Sequence, residues 1–474
     1  MSEIDTDPNA IADEVMEVSE LPHGFVNAFQ GEREQRDATR QAFLERRTVP
    51  PVLNERTNLD DRAEHVRRRQ AYGSLSAIEG YLADKDEPLN EAERVIAAQV
   101  GKQKAELAFM QGAEAMARPG REHGAFMERG KLLEQMREWS ERKWGQAHPA
   151  TAKALAYGVL PETYFGQPDW PLEGAAALAH FHLIASTHCE TEKAPFMPSD
   201  EIVTHVHELV MDRFGGMLDA MWDGVEGEKF SEEEAVPIVA KALDHLGLSE
   251  RGWKVVYDKN RNNMSTDNRE RIVYIGKREK PFSRTILSRL TIHEVGVHAV
   301  RFDTAETAGM DKMVQKGLPG NSEFEEAFAN ALEHAYVSKI ENRTARTRYI
   351  AGSFAQGAID GEHHDFPATF DFVFGYVLAS DMKAGKVMDA ETVESAKSFS
   401  YDQTLRFFRA MPGDAGVNDL SALSYYAGFE KVWQHFAGDG QPITREAFDA
   451  LFAGKFDPTR PDHVEYVARY GRAA

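Results

Sequence analysis

Cysteine is almost missing from this sequence: Cys189 stands alone among 474 residues. An intrachain disulfide is therefore excluded, as is a metal centre built on clustered thiolates, so any metal must be held by His, Asp or Glu. No run reaches the roughly 18 to 20 apolar residues needed to cross a bilayer. The opening MSEIDTDPNAIADEV has neither the basic start nor the continuous apolar stretch of a secretory signal, and the expectation is a cytoplasmic protein without a membrane partner. Positive charge is also short. Against 77 Asp and Glu there are 55 Lys and Arg, a formal charge of -22, and such a field repels phosphate and argues against a nucleic-acid partner. No internal repeat or low-complexity tract is present. What remains is ordinary globular composition, 42% hydrophobic and 28% charged, enough for one large domain or two smaller ones.

The chain divides into three stretches. Residues 1–73 mix acidic and basic runs with few large apolar residues and include the breaker-rich TVPPVLNERTNLDD, which reads as a partly disordered or loosely docked extension. Residues 74–150 carry apolar positions at helical spacing, as in ERVIAAQVGKQKAELAFM. The third stretch, 151–474, opens with a Pro- and aromatic-rich loop from Pro161 to Pro171 and returns to helical periodicity in EGAAALAHFHLIAS and SDEIVTHVHELVMDRFGGML. Ser231 and Glu234 have the spacing of a capping box. Only WKVVYD (253–258) and RIVYIG (271–276) break the pattern. Their β-branched and aromatic residues, separated by the turn-prone KNRNNMSTDNRE, predict a pair of strands, with RIVYIG offering its edge to an extended peptide. The fold class expected is α+β, mostly helical, with a small sheet.

Chemistry concentrates just after the second strand, in KREKPFSRTILSRLTIHEVGVHAVRF. Ser283 is the expected N-cap of a helix in which His293, Glu294 and His298 sit where apolar residues belong. Burying two imidazoles and a carboxylate is costly without partners, which metal coordination supplies; hydrogen-bonded helix histidines are the plainer alternative. In an ideal α-helix, residues five apart diverge by about 140°, too wide for one ion. The spacing thus predicts a single widened turn of π type, with Gly296 easing the backbone adjustment. Glu325 and Glu326 then open a second helical pattern, GLPGNSEFEEAFANALEH. A carboxylate from a second helix is the usual third zinc ligand, leaving the fourth position for water. Adjacent positions differ by about 100°, so only one of the two can face the ion. His180, His182, His188 and Cys189 form a looser group whose spacing fits no metal knuckle, and His363 and His364 read as a polar loop.

HEVGVH followed by GLPG and EEAFA resembles a family of His-Glu-x-x-x-His metallopeptidases. That family includes the microtubule-associated tyrosine carboxypeptidases and bacterial proteins named for a Gln-Glu-Gly-Leu-Ala motif. HEVGVHAVR (293–301) matches its first motif and EEAFA (325–329) its second; SALSYYAGFEKV (421–432) and FAGKFD (452–457) extend the likeness from roughly residue 150 onward. Ala327 and Phe328 depart from the family's Gly-Leu, and Val297 from its threonine.

The resemblance implies a zincin-like domain over 151–474 with an active-site helix, and Zn2+ held by His293, His298 and Glu326. It also implies Glu294 as catalytic base and a peptide or protein C-terminus as substrate. Tyr425 or Tyr426 is then the oxyanion donor, with Tyr426 the catalytic candidate and Tyr425 a substrate contact. Arg301 and Arg278 are candidates for the substrate carboxylate, and Glu325 and Asn330 for outer support of the ligands. A more distant resemblance, to dipeptidyl peptidase III, shares the five-residue spacing and an EExxA helix but places its glycine beside the second histidine. The alternatives to a carboxypeptidase are a dipeptidyl peptidase or other zinc hydrolase, and a metal-stabilised regulatory or scaffold protein without turnover, against which the intact Glu294 argues.

Overall fold

Helical periodicity is realised along most of the chain in the computed structural model, which describes residues 15, 33–45, 62–85, 88–117, 125–160, 170–189, 196–278, 280–340, 342–408 and 418–470. Four helices come first: α1 (Arg33–Leu44), α2 (Arg62–Ala83), α3 (Glu91–Ala117) and α4 (Ala125–Trp144). There follow α5 (Pro149–Tyr157), α6 (Leu172–His188), α7 (Asp200–Trp222), strand β1 (Lys229–Phe230) and α8 (Glu232–His245). The strands β2 (Lys254–Asn262), β3 (Met264–Asp267), β4 (Ile272–Lys277) and β5 (Phe282–Ser283) lead into α9 (Arg284–Thr291), a π-helical segment (Ile292–Ala299) and α10 (Val300–Thr307). The remainder is α11 (Lys312–Lys316), α12 (Asn321–Tyr336), α13 (Arg343–Ala355), α14 (Phe366–Lys383), α15 (Ala390–Phe408), α16 (Ser424–Ala437), α17 (Arg445–Ala450) and α18 (Pro461–Tyr470). The protein is thus mostly helical with a small sheet. Among the described residues no helix is long and apolar enough to cross a membrane.

Local chemistry starts the helices where the sequence places its caps. Ser231 accepts from the Glu234 amide at 3.2 Å while the Glu234 carboxylate accepts from the Ser231 amide at 2.8 Å, a complete capping box. Ser283 accepts from the Ile286 amide at 3.2 Å and starts α9. β5 pairs with β1, Phe230 opposite Phe282, and so pins the entry to that helix. The breaker-rich TVPPVLNERTNLDD lies outside the described residues, as does the Pro161–Pro171 loop apart from Trp170 and Pro171. The boundary expected at residue 73 falls inside α2, where Ala71 and Leu75 are buried in one cluster.

The sheet differs from the pair of strands expected. KNRNNMSTDNRE is not a simple turn: it holds the end of β2 and all of β3, and the strand order is β2-β4-β3. β4 pairs parallel with β2 and antiparallel with β3. Asn263 and Arg271, at φ 60° and 53°, make the reversals on either side of β3. Gly276 accommodates the crossing, since a Cβ there would strike the backbone of Asn263 and Arg261. RIVYIG is therefore the central strand with its edges paired, which removes it as a platform for strand addition. Its near-continuous apolar run is the mark of a strand covered on both faces.

Among the described residues, two apolar clusters form the core. The larger joins α5 to α8, the sheet, α9, α10 and the helices from α12 to α17. The smaller joins α2 and α3, through residues such as Leu75 and Val100, to Met313 and Val314 of α11, Leu318, and Tyr466 of α18. Within the larger, α12 and α16 cross closely because Gly428 lies against the Glu323 carbonyl and the Ala327 methyl. Any side chain at 428 pushes these helices apart. Gly428→Val is expected to cost about 2 kcal/mol or more of stability, in line with overpacked core sites, read by thermal or denaturant unfolding.

Candidate metal centre

The five-residue histidine spacing is met by the backbone. From Ile292 to Ala299 the helix is of π type, whose i to i+5 hydrogen bonding brings residues five apart onto one side. The His293 and His298 rings consequently lie 4.9 Å apart between centroids. Gly296 contributes differently from the expectation. Its φ is not positive; instead its missing side chain admits the Phe214 ring of α7, whose edge a Cβ would meet at 3.0 Å. The gap it leaves is what lets α7 press against the widened turn.

The second helix enters through the GLPG turn. Gly320 adopts φ +83° at the N-cap of α12, a conformation natural to glycine. Arg460 donates to the Pro319 carbonyl at 2.9 Å and fixes this turn. α12 then runs along the π segment and presents Glu326 to both imidazoles, Oε2 lying 3.7 Å from His293 Nε2 and Oε1 3.7 Å from His298 Nε2. One donor atom from each of His293, His298 and Glu326 lies within 4.8 Å of the others, and this is the one such group of three metal-binding side chains among the described residues. Tetrahedral zinc with bonds near 2.1 Å separates its ligands by about 3.4 Å. The three side chains therefore fit the ion in chemistry and nearly in spacing.

Each imidazole is aimed by a carboxylate behind it. Glu333 Oε1 meets His293 Nδ1 at 2.6 Å, and Glu325 Oε1 meets His298 Nδ1 at 2.8 Å. Such contacts fix the tautomer and leave Nε2 free to coordinate. Glu325, one of the two residues named for outer support, thus lies behind His298. Glu333 was missed, although it stands seven residues after Glu326, two turns along the same face of α12. Burial alone would lower His293, but Glu326 and Glu333 outweigh it and hold the imidazole well above its ordinary pKa. Burial raises both carboxylates, yet their bonds to His293 leave each below the usual value. Arg289 pairs with Glu333, and Arg301 and Lys455 pair with Glu325. Neither Glu294 nor Glu326 has a Lys or Arg partner among the described residues. A carboxylate whose only described partners are two imidazoles matches the donor set of a divalent cation.

The other expected site residues divide. Glu294 is 9% exposed on the π segment, with its carbonyl held by Thr266 Oγ1 of β3 at 2.9 Å. Tyr425, at the start of α16, lies beside the ligands: the charge of Glu326, then burial and the charge of Glu294, push its phenol to about 12. Tyr426 points elsewhere, stacked on Phe429 at 5.5 Å and against Tyr349 at 5.3 Å in the core. Of the two adjacent tyrosines, Tyr425 is the one whose phenol feels the charges of Glu326 and Glu294, whereas Tyr426, expected as catalytic, packs in the core. The Tyr425–Tyr426 pair is the point at which α16 turns one residue to the site and the next to the core.

Arg301 is also corrected. It is fully buried behind the site, donating to Glu325 Oε2 at 3.0 Å and to the carbonyls of Gly454 and Phe456 at 2.9 and 2.7 Å, so it reaches no substrate. Arg278 packs over Phe282 and donates to Asn263 Oδ1 at 2.7 Å. Asn330 donates to the Glu326 backbone carbonyl at 2.7 Å, within its own helix, and leaves the Glu326 carboxylate untouched. Arg348, which the sequence did not suggest, lies over the Tyr425 ring at 5.0 Å.

The looser histidine groups do not assemble. His180 and His188 are exposed, and Cys189 is buried with its thiol pushed up to about 11. His364 stacks on Phe354 and bonds Asp360 at 2.8 Å. Compared with family models, curated proteins and solved structures, the chain matches none.

Because Glu333 acts on His293 through a single short contact, Glu333→Gln is expected to weaken metal binding by about 10- to 100-fold. Competition with a chromophoric chelator measures this directly.

Proposed function

We propose that this protein is a zinc-dependent metallopeptidase of zincin-like architecture, with carboxypeptidase action as the form the motif resemblance favours. The observation that carries the reading is the convergence of His293, His298 and Glu326 on one point, with Glu294 on the same widened turn. A zinc ion bound there supplies acidified water and a polarising charge for the scissile carbonyl.

The chain's own groups do the rest. Glu294 accepts the proton of the attacking water and returns it to the leaving amine; it adjoins a ligand on the helix without a cation of its own, which leaves its carboxylate available as a base. Tyr425, with its phenol raised to about 12, keeps its proton at neutral pH and can donate to the oxyanion that develops. Glu333 and Glu325 hold the imidazoles so that little reorganisation is needed as charge moves. The buried surroundings, with His293 and Glu294 under a tenth exposed, exclude bulk water and strengthen these interactions.

Incubating zinc-loaded protein with peptide libraries and sequencing the product ends by mass spectrometry tests the reading. Loss of single C-terminal residues is the expected outcome; N-terminal dipeptides would transfer the site to dipeptidyl peptidase chemistry, and bound zinc with no cleavage would favour a structural metal. Glu294→Gln should lower turnover by about 10²- to 10⁴-fold with zinc content unchanged. Tyr425→Phe should lower kcat by about 10²-fold with a much smaller change in KM, whereas Tyr426→Phe should leave kcat nearly unaltered. Equal effects of the two tyrosine variants would overturn the role given to Tyr425.

A further inference from the structure

Behind His298 the polar contacts form a closed set. Glu325 is 4% exposed, and four donors reach its carboxylate. Oε1 takes His298 Nδ1 and the Lys455 ammonium, each at 2.8 Å; Oε2 takes Arg301 Nη1 and Asn321 Nδ2, each at 3.0 Å. A carboxylate offers about four lone-pair sites, so none is spare. His293 is served more simply, by Glu333 with Arg289 at 3.3 Å behind it.

Lys455 is itself held from every side. Its amide donates to the Val314 carbonyl at 2.8 Å and its carbonyl accepts from the Leu318 amide at 3.0 Å. The carbonyls before and after it, of Gly454 and Phe456, are both bound by Arg301. The segment is thereby clamped so that the ammonium meets the same carboxylate oxygen that receives the imidazole.

We infer that Lys455 is a positioning residue for the metal centre, acting through Glu325 to fix His298 so that its Nε2 faces the ion. The inference rests on the metal-binding reading above and adds to it the segment 454–456, which touches no ligand directly. Removing the ammonium leaves Oε1 with the imidazole alone, so the carboxylate loses the cation that holds this oxygen against His298, while Arg301 and Asn321 still hold Oε2.

The test is the affinity of the full-length protein for zinc, measured by chelator competition, together with the visible absorption of the cobalt-substituted protein. Lys455→Met is expected to weaken zinc binding by about tenfold and to shift the cobalt spectrum. In a Glu325→Gln background the same substitution should change the affinity by less than about twofold, because coupled residues are not additive. Unchanged affinity and spectrum in Lys455→Met, or additive losses in the double variant, would overturn the inference while leaving the metal centre intact. A wild-type protein that takes up no zinc would overturn both. If Lys455→Met does not fold, as judged by circular dichroism, Lys455→Gln retains a donor to Oε1 without the charge and carries the same comparison.

Discussion

Everything at the centre depends on the register between α12 and the π-helical segment. Glu325, Glu326 and Glu333 belong to α12, and the imidazoles they meet belong to the turn from Ile292 to Ala299. A slip of one residue in α12 rotates its side chains by about 100° and withdraws both the shared carboxylate and the two that aim the rings. The register is set at one end by the GLPG turn, held from Arg460, and along the helix by the close crossing at Gly428. Glycines and carbonyls, rather than the site's own charged groups, decide where those groups stand.

The charge pattern is uneven, and the unevenness has a physical reading. Where a carboxylate backs an imidazole, a cation backs the carboxylate; where a carboxylate faces the centre, none does. Burying an unpaired carboxylate is expensive. Among the described residues Glu326 has only the two imidazoles as partners, at the same place where His293 is held well above its ordinary pKa by its neighbours. Around the three side chains, the cations stand behind the supporting carboxylates and not behind the one that lies between the imidazoles.

Much of the centre was legible in the sequence because short-range geometry governs it. A spacing of five from His293 to His298 does not put both rings on one α-helical face, and bringing them to one ion pointed to the widened turn. The capping serines could be read for the same reason, since a cap acts over three residues. What escaped was set by packing between distant segments. Arg301 is anchored by carbonyls some 150 residues later, and the side that α16 turns inward decides between Tyr425 and Tyr426. The strand order was missed because β4 enters between two strands that precede it, which no local pattern reveals. Glu333 is a different kind of omission, since its two-turn spacing from Glu326 was present in the sequence and only the need for a partner to His293 gives it meaning.

The smaller apolar cluster bears on how such a chain is made. Its members in α2 and α3 bury their faces against Met313, Val314 and Leu318, and against Tyr466 of α18. During synthesis these early helices emerge several hundred residues before their counterparts exist. Contacts of such long range form late and slowly, and exposed apolar faces invite association with other chains in the interval. Until residues 313 to 466 have been made, the faces of α2 and α3 that they cover have no such cover.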